Sequence, residues 1–197
     1  DLRSRFGALK SRLIALNVHD AVMQLTEGSC DLLIAYHHPS QPLQLSPERY
    51  EMLSLGHETL APYARGDEQG QPLFRLPGSS TRKVPYLGYG EGAYLGRLVE
   101  VILARAATPA RLEPIYQTDM AEGLKAMALE GHGLAFLPSD AVRKEQRAKR
   151  LVRASAPGSF ELDMELRIYR EKPELSRRAK PAAAALWAHL QGHAGNA

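Results

Sequence analysis

Thr118, Asp119 and Met120 set a hydroxyl, a carboxylate and a thioether side by side at the start of an apolar-periodic segment. Asp119 with Glu122 three residues on is a capping-box pattern, so Asp119 is expected to cap a helix and Met120 to sit in its first turn. A thioether in that place can be oxidised to a sulfoxide, which is polar, chiral and reducible, and so can act as a reversible switch. The competing reading of Met120 is a gap-filling core methionine. Met23 and Met127 on helices, and Met52 and Met164 in strands, read as core. Gly88, Gly90 and Gly92 flank Tyr89 and Glu91. The phosphate-loop patterns are incomplete, so these glycines read as a turn at the mouth of a cleft.

Other reactive side chains suggest less. Cys30 has no basic neighbour within two residues to lower its pKa, and is expected to be a buried structural thiol. As the only cysteine it forms no internal disulfide, which favours a reducing compartment. His37 and His38 are adjacent on extended chain and point to opposite faces, which suits a loop contact or one pocket histidine better than chelation. His132, between Gly131 and Gly133, reads as a turn residue. Glu91 and Asp119 could be proposed as paired carboxylates, but turn and capping roles account for both. No nucleophile elbow, metal cluster or base-backed carboxylate pair stands out, so no enzyme, cofactor or metal is expected. Arg143, Lys144, Arg147, Lys149 and Arg150 read as a solvated face. A net charge of +3 argues no nucleic-acid binding by itself.

Alternating strand and helix patterns must position these groups. Arg12–Val18 is apolar enough for a strand buried on both faces, His19–Glu27 reads as a helix closed by Gly28, and Asp31–Tyr36 as a second buried strand. Such a βαβ unit implies parallel strands. Strand material follows in Arg49–Ala64, Tyr86–Tyr89 and Leu112–Gln117, with a helix at Tyr94–Ala107. The helix after Asp119 presents Met120, Leu124, Met127 and Ala128 on one face and ends at Gly131. Gly133–Leu137 completes a second βαβ unit. Glu161–Arg170 reads as a half-solvated strand. Glu174–Gln191 reads as a helix containing Trp187, whose Ala-rich face around Ala182–Leu190 is expected to pack on the body. Asp1–Lys10 looks like the latter part of a helix without a start signal, so a further segment is expected upstream. No apolar run approaches the roughly 20 residues of a membrane helix.

The segments LTEGSCDLLIAY, HETLAPYA, TDMAEGLKAMALEGHGLAFLPSDAV and KRLVRAS, in this order and spacing, resemble the effector-binding domain of LysR-type transcriptional regulators. DLLIAYHHP, GHGLAFLP and IYR look closest to its hypochlorite-responsive subgroup. The resemblance implies an α/β fold with two Rossmann-like lobes of the periplasmic-binding-protein type II kind, joined by two crossover connections. Lobe I would be Asp1–Pro77 with Ala154–Ala197, and lobe II Gly78–Arg153. It also implies a winged helix-turn-helix and a first strand that this sequence does not contain, DNA contact only through that missing domain, a cytoplasmic location, and a homodimer or tetramer.

In such folds ligands sit outside the carboxyl ends of parallel strands, where helix amides point. The candidate effector-binding or sensing residues are therefore Asn17, Tyr36, His37, Tyr89, Gly90, Glu91, Thr118, Asp119 and Met120. The expected partner is a small effector or an oxidant such as hypochlorite. A small anionic or aromatic metabolite, held by the amides of Thr118–Met120 and by Tyr89, is the alternative. A periplasmic solute-binding protein of the same fold is the other class left open.

Overall fold

The structure, a computed structural model, describes residues 11–79, 81–176 and 180–194. In chain order the apolar and amphipathic segments fold into α1 (Val18–Thr26), β1 (Leu33–His37), β2 (Tyr50–Arg65), β3 (Val84–Gly88), α2 (Tyr94–Arg105), β4 (Leu112–Gln117), α3 (Ala121–Leu129), β5 (Leu134–Pro138), α4 (Arg143–Arg147), β6 (Leu151–Arg153), β7 (Leu162–Glu171) and α5 (Pro181–Ala194). Gly28 and Gly131 take φ of +76° and +82°, which lets them end α1 and α3 in a left-handed turn. Contacts divide the chain into two compact units. The first is Asp1–Tyr36, Leu43–Gly56 and Leu166–Ala197, and the second is His37–Pro42 and His57–Glu165. Both lobe borders read from sequence, at 77/78 and 153/154, fall within the second unit.

In the second unit β5 is the central strand and all five of its residues are buried, as its unbroken apolar run requires. It pairs antiparallel with β2, Leu60 opposite Pro138, and parallel with β3, Tyr86 opposite Leu134. β4 runs parallel to β3, Val84 opposite Leu112, and β6 lies antiparallel along β2. Two parallel crossovers result, β3–α2–β4 and β4–α3–β5. α2 buries Tyr94, Leu98, Val99 and Ile102, and α3 buries Leu124 and Ala128, the i, i+4 stripes of helices lying on a sheet. The second βαβ unit read from the sequence is thus present.

The first unit departs from its sequence reading at two places. Arg12–Val18 is not a strand: residues 11–17 carry no regular structure and are exposed, Leu13 at 94%. An apolar run becomes a strand only beside a neighbour that completes its hydrogen bonds, and β1 has β7 as its only paired strand among the described residues. The first βαβ unit is therefore not formed, and α1 follows an extended segment. The core here is Leu25, Leu33, Ala35, Tyr50 and Tyr169. The expected Ala-rich packing face of α5 is also corrected. Ala182, Ala184, Ala185 and Ala188 are exposed, and among the helix residues whose burial is described Trp187 alone is buried. Alanines offer little apolar area to bury, so the indole anchors the helix. The Arg170 guanidinium lies 4.4 Å from its ring and ion-pairs with Glu51 at 2.6 Å. The helix read in Asp1–Lys10 lies outside the described residues.

Candidate functional site

In the second unit the carboxyl ends of β3 and β4 bring Tyr89, Gly90, Thr118, Asp119 and Met120 together. The Thr118 amide donates to the Gly88 carbonyl at 3.2 Å, and the Gly90 amide to the Thr118 carbonyl at 3.3 Å. These bonds carry the β3–β4 ladder one residue past the strands. Asp119 presses on this turn. A Cβ on residue 90 would lie 2.3 Å from Asp119 Oδ1, so any larger residue there would have to displace the carboxylate.

The N-cap position of α3 falls on Met120, one residue after the Asp119 of the sequence reading, and the Met120 side chain makes no cap hydrogen bond. The Asp119 carboxylate lies against Gly90 instead, and Glu122 pairs with Lys125 at 2.6 Å rather than reaching back as a capping-box partner. Thr118 Oγ1 accepts the Met120 amide at 3.4 Å, upstream of the helix. α2, with Ala93 at its N-cap, also lacks a side-chain cap. Two helices thus start at this end without a cap bond from their N-cap residues, and helix starts favour negative charge.

Met120 is 62% exposed, which sets aside a core role for it. Met164 is buried, as expected, whereas Met23 and Met52 are exposed rather than core, at 44% and 43%. Tyr89 is buried and its hydroxyl donates to the Phe136 carbonyl at 3.0 Å, tying the end of β3 to β5. Glu91 is exposed on the turn that Gly92 closes at φ +82°. Beside it, burial pushes the Tyr86 phenol up to about 12, with Glu100 adding to the shift, so this ring stays neutral.

His37 ends β1 and groups with the second unit, whereas Tyr36 and Asn17 belong to the first. Asn17 is the N-cap residue of α1, without a side-chain cap bond. Two residues that no sequence pattern marked hold the second unit's turn. Arg97 donates to the Gly92 carbonyl at 2.6 Å and to Gln41 Oε1 at 3.1 Å. The Tyr94 hydroxyl accepts the His38 amide at 2.8 Å and donates to the Gln41 carbonyl at 3.1 Å. Their partners His38 and Gln41 lie more than 50 residues away in sequence, beyond the reach of any local pattern. The Cys30 thiol is half-buried and donates to the Leu32 carbonyl at 2.7 Å. Among the described residues no three His, Cys, Asp or Glu side chains group as metal ligands. The basic run from Arg143 to Arg150 is exposed, with Arg143 paired to Asp140.

Parallel crossovers with helix starts at the strand ends are the frame on which α/β domains bind ligands. Comparison with known proteins makes the class specific. Residues 1–195 match the LysR substrate binding domain, and the chain belongs to that family, with the periplasmic-binding-protein type II fold. It is an effector-binding regulatory domain of the LysR-type transcriptional regulators, a family of regulators rather than enzymes. It is similar to the HTH-type transcriptional regulator YjiE of Escherichia coli K12, 30% identical over 177 residues, which are 90% of this chain and 54% of that protein. It is also similar to the apo regulatory domain of HypT from Salmonella typhimurium, at 26% identity and a TM-score of 0.79, covering 97% of this chain and 85% of that one. Full-length HypT, described as a hypochlorite-specific LysR-type transcriptional regulator, aligns at 27% identity and a TM-score of 0.77, over 96% of this chain and 60% of that one. The chain thus spans little more than half the length of these full-length relatives.

Proposed function

We propose that this domain senses an oxidant of the hypochlorite type at the Thr118–Met120 turn and works in a cytoplasmic homodimeric or tetrameric regulator that contacts DNA through a separate winged helix-turn-helix. A division into lobes 1–77 with 154–197 and 78–153 is part of this proposal. The observation that carries it is an exposed thioether at the N-cap position of α3. In the reaction the sulfur gives an electron pair to hypochlorous acid and keeps its oxygen as the sulfoxide, releasing chloride and a proton. The S–O dipole then places negative charge beside the amides of α3, where the helix end favours it. That difference between the reduced and oxidised states is what a switch needs. The HypT likeness supports the same chemistry. A second reading, a small anionic or aromatic effector held near Gly90, Glu91 and Tyr89 with Asn17, Tyr36 and His37 contributing, is favoured by the same helix start.

Limited hypochlorous acid followed by peptide mass spectrometry tests the oxidant reading. Exposure alone orders Met120, Met23 and Met52 at 62%, 44% and 43%, with Met164 at 2%. On exposure alone Met120 would lead Met23 by a factor of about 1.4. Sensing predicts a lead of roughly five-fold or more, with changed exchange protection at Ala121–Leu124. Parity among the exposed methionines, or sparing of Met120, would overturn it.

A further inference from the structure

The second unit holds a cavity of about 530 Å³ away from the Thr118 turn. Its walls are the last turn of α2, with Ile102 and Arg105, the segment Gly158–Asp163, and His38. That volume is in the range of small-molecule sites. The chemistry of the walls is divided. Ile102, Phe160 and Leu162 are buried apolar residues. Arg105 is exposed and has no hydrogen-bond or ion-pair partner among the described residues. Asp163 accepts the Thr59 hydroxyl on Oδ1 at 2.7 Å, which leaves its second oxygen open. The last carbonyls of α2 add the negative end of a helix on the same side.

His38 completes the donor set. Its Nδ1 accepts the Ser40 amide at 3.1 Å, so in the neutral ring the proton sits on Nε2. Burial first, and then the Arg105 charge, hold its pKa below the ordinary value of 6.5, so the ring is neutral at physiological pH. The opposite wall is rigid. Phe160 takes φ of +56°, a left-handed conformation that a non-glycine residue rarely adopts. The loop is pinned by Ser159 N to Ala156 O at 3.1 Å, Ser155 Oγ to Ser159 O at 2.8 Å and Gly158 N to Glu161 Oε1 at 3.1 Å. Glu161 in turn is paired with Arg153, which removes its charge from consideration. A loop ordered before any ligand arrives lowers the entropy cost of binding.

One free cation, one half-used carboxylate, a helix C-terminus and an apolar floor match neither a simple anion nor a simple cation. We propose that this cavity binds a small zwitterion, an α-amino acid with an apolar side chain. Its carboxylate meets the Arg105 guanidinium and His38 Nε2–H, its ammonium meets Asp163 and the α2 carbonyls, and its side chain lies on Ile102, Phe160 and Leu162. This site is independent of the Met120 chemistry, and the oxidation experiment can fail without touching it.

Isothermal titration of the chain with leucine and phenylalanine, and with the two halves of leucine, 4-methylpentanoate and 3-methylbutylamine, tests it. Leucine or phenylalanine is expected to bind at least about ten-fold more tightly than either half, about 1.4 kcal/mol. Arg105→Ala and Asp163→Asn each lower that affinity by about ten-fold or more. Both side chains are exposed, so both variants keep the fold, and Arg105→Lys recovers part of the affinity. No binding of either amino acid up to roughly 10 mM overturns the proposal, as does equal binding of 4-methylpentanoate or unchanged affinity in both variants.

Discussion

Tyr89→Phe separates a residue that builds the site from one that touches a ligand. The substitution removes one oxygen and keeps the ring. The hydroxyl is buried and donates to the Phe136 carbonyl at 3.0 Å, so its loss strands a partner inside the sheet. A buried hydrogen bond broken on one side costs about 1–2 kcal/mol. For a chain of this size each kcal/mol moves the midpoint by roughly 2–4 °C, so Tm should fall by roughly 2–8 °C. Urea unfolding followed by circular dichroism should show a lower midpoint with an unchanged slope, because no surface is newly exposed. The selectivity of Met120 oxidation and the amino-acid titration should both remain as in the parent. An unchanged Tm together with an altered oxidation or binding response would refute this reasoning, since the hydroxyl would then be facing an effector.

Two further substitutions probe the same unit. In Gly133→Ala the new Cβ would lie 2.8 Å from the Pro85 carbonyl and 3.1 Å from Leu87 Cγ, so β5 and β3 must part; a loss of about 1–3 kcal/mol is expected in urea unfolding, and a neutral result would contradict the strand spacing. Glu58 is buried on β2, and burial raises its pKa above the ordinary 4.5, with the Asp140 charge adding and the Asp140 amide and Arg143 opposing. The folded state therefore binds more protons than the unfolded one, and stability is lost as pH rises from about 4.5 through the folded pKa. Glu58→Gln keeps an acceptor for the Asp140 amide at 3.2 Å without the charge. It should be more stable than the parent at neutral pH, with a flatter profile; equal or lower stability there would count against the assignment.

Much of the fold was legible because local pattern and burial agree in it. The run Gly133–Leu137 is apolar throughout and is buried throughout as β5. Leu112–Gln117 is β4 to the residue, and α2 and α3 carry their buried residues at helical spacing. Glycines that tolerate positive φ marked where α1 and α3 end. The order of these elements was enough for the LysR family, since that order depends on chain pattern and not on any single contact.

What the sequence did not decide are choices between partners distant in the chain. Arg12–Val18 has the composition of a strand, but a strand is made by a neighbour's hydrogen bonds, and β1 pairs with β7 alone among the described residues. Asp119 could cap its own helix or serve the adjacent turn. The β3–β4 pairing puts Gly90 against its carboxylate, and the N-cap position passes to Met120. Met120 read equally as core or switch until its exposure was seen, because one thioether fits either place. The cavity is the clearest case. His38, Arg105, Phe160 and Asp163 share no motif and span more than a hundred residues, and they meet only because α2 and the segment before β7 pack in the same unit. Periodicity records which side of an element is apolar; which charges then face one another is settled by packing.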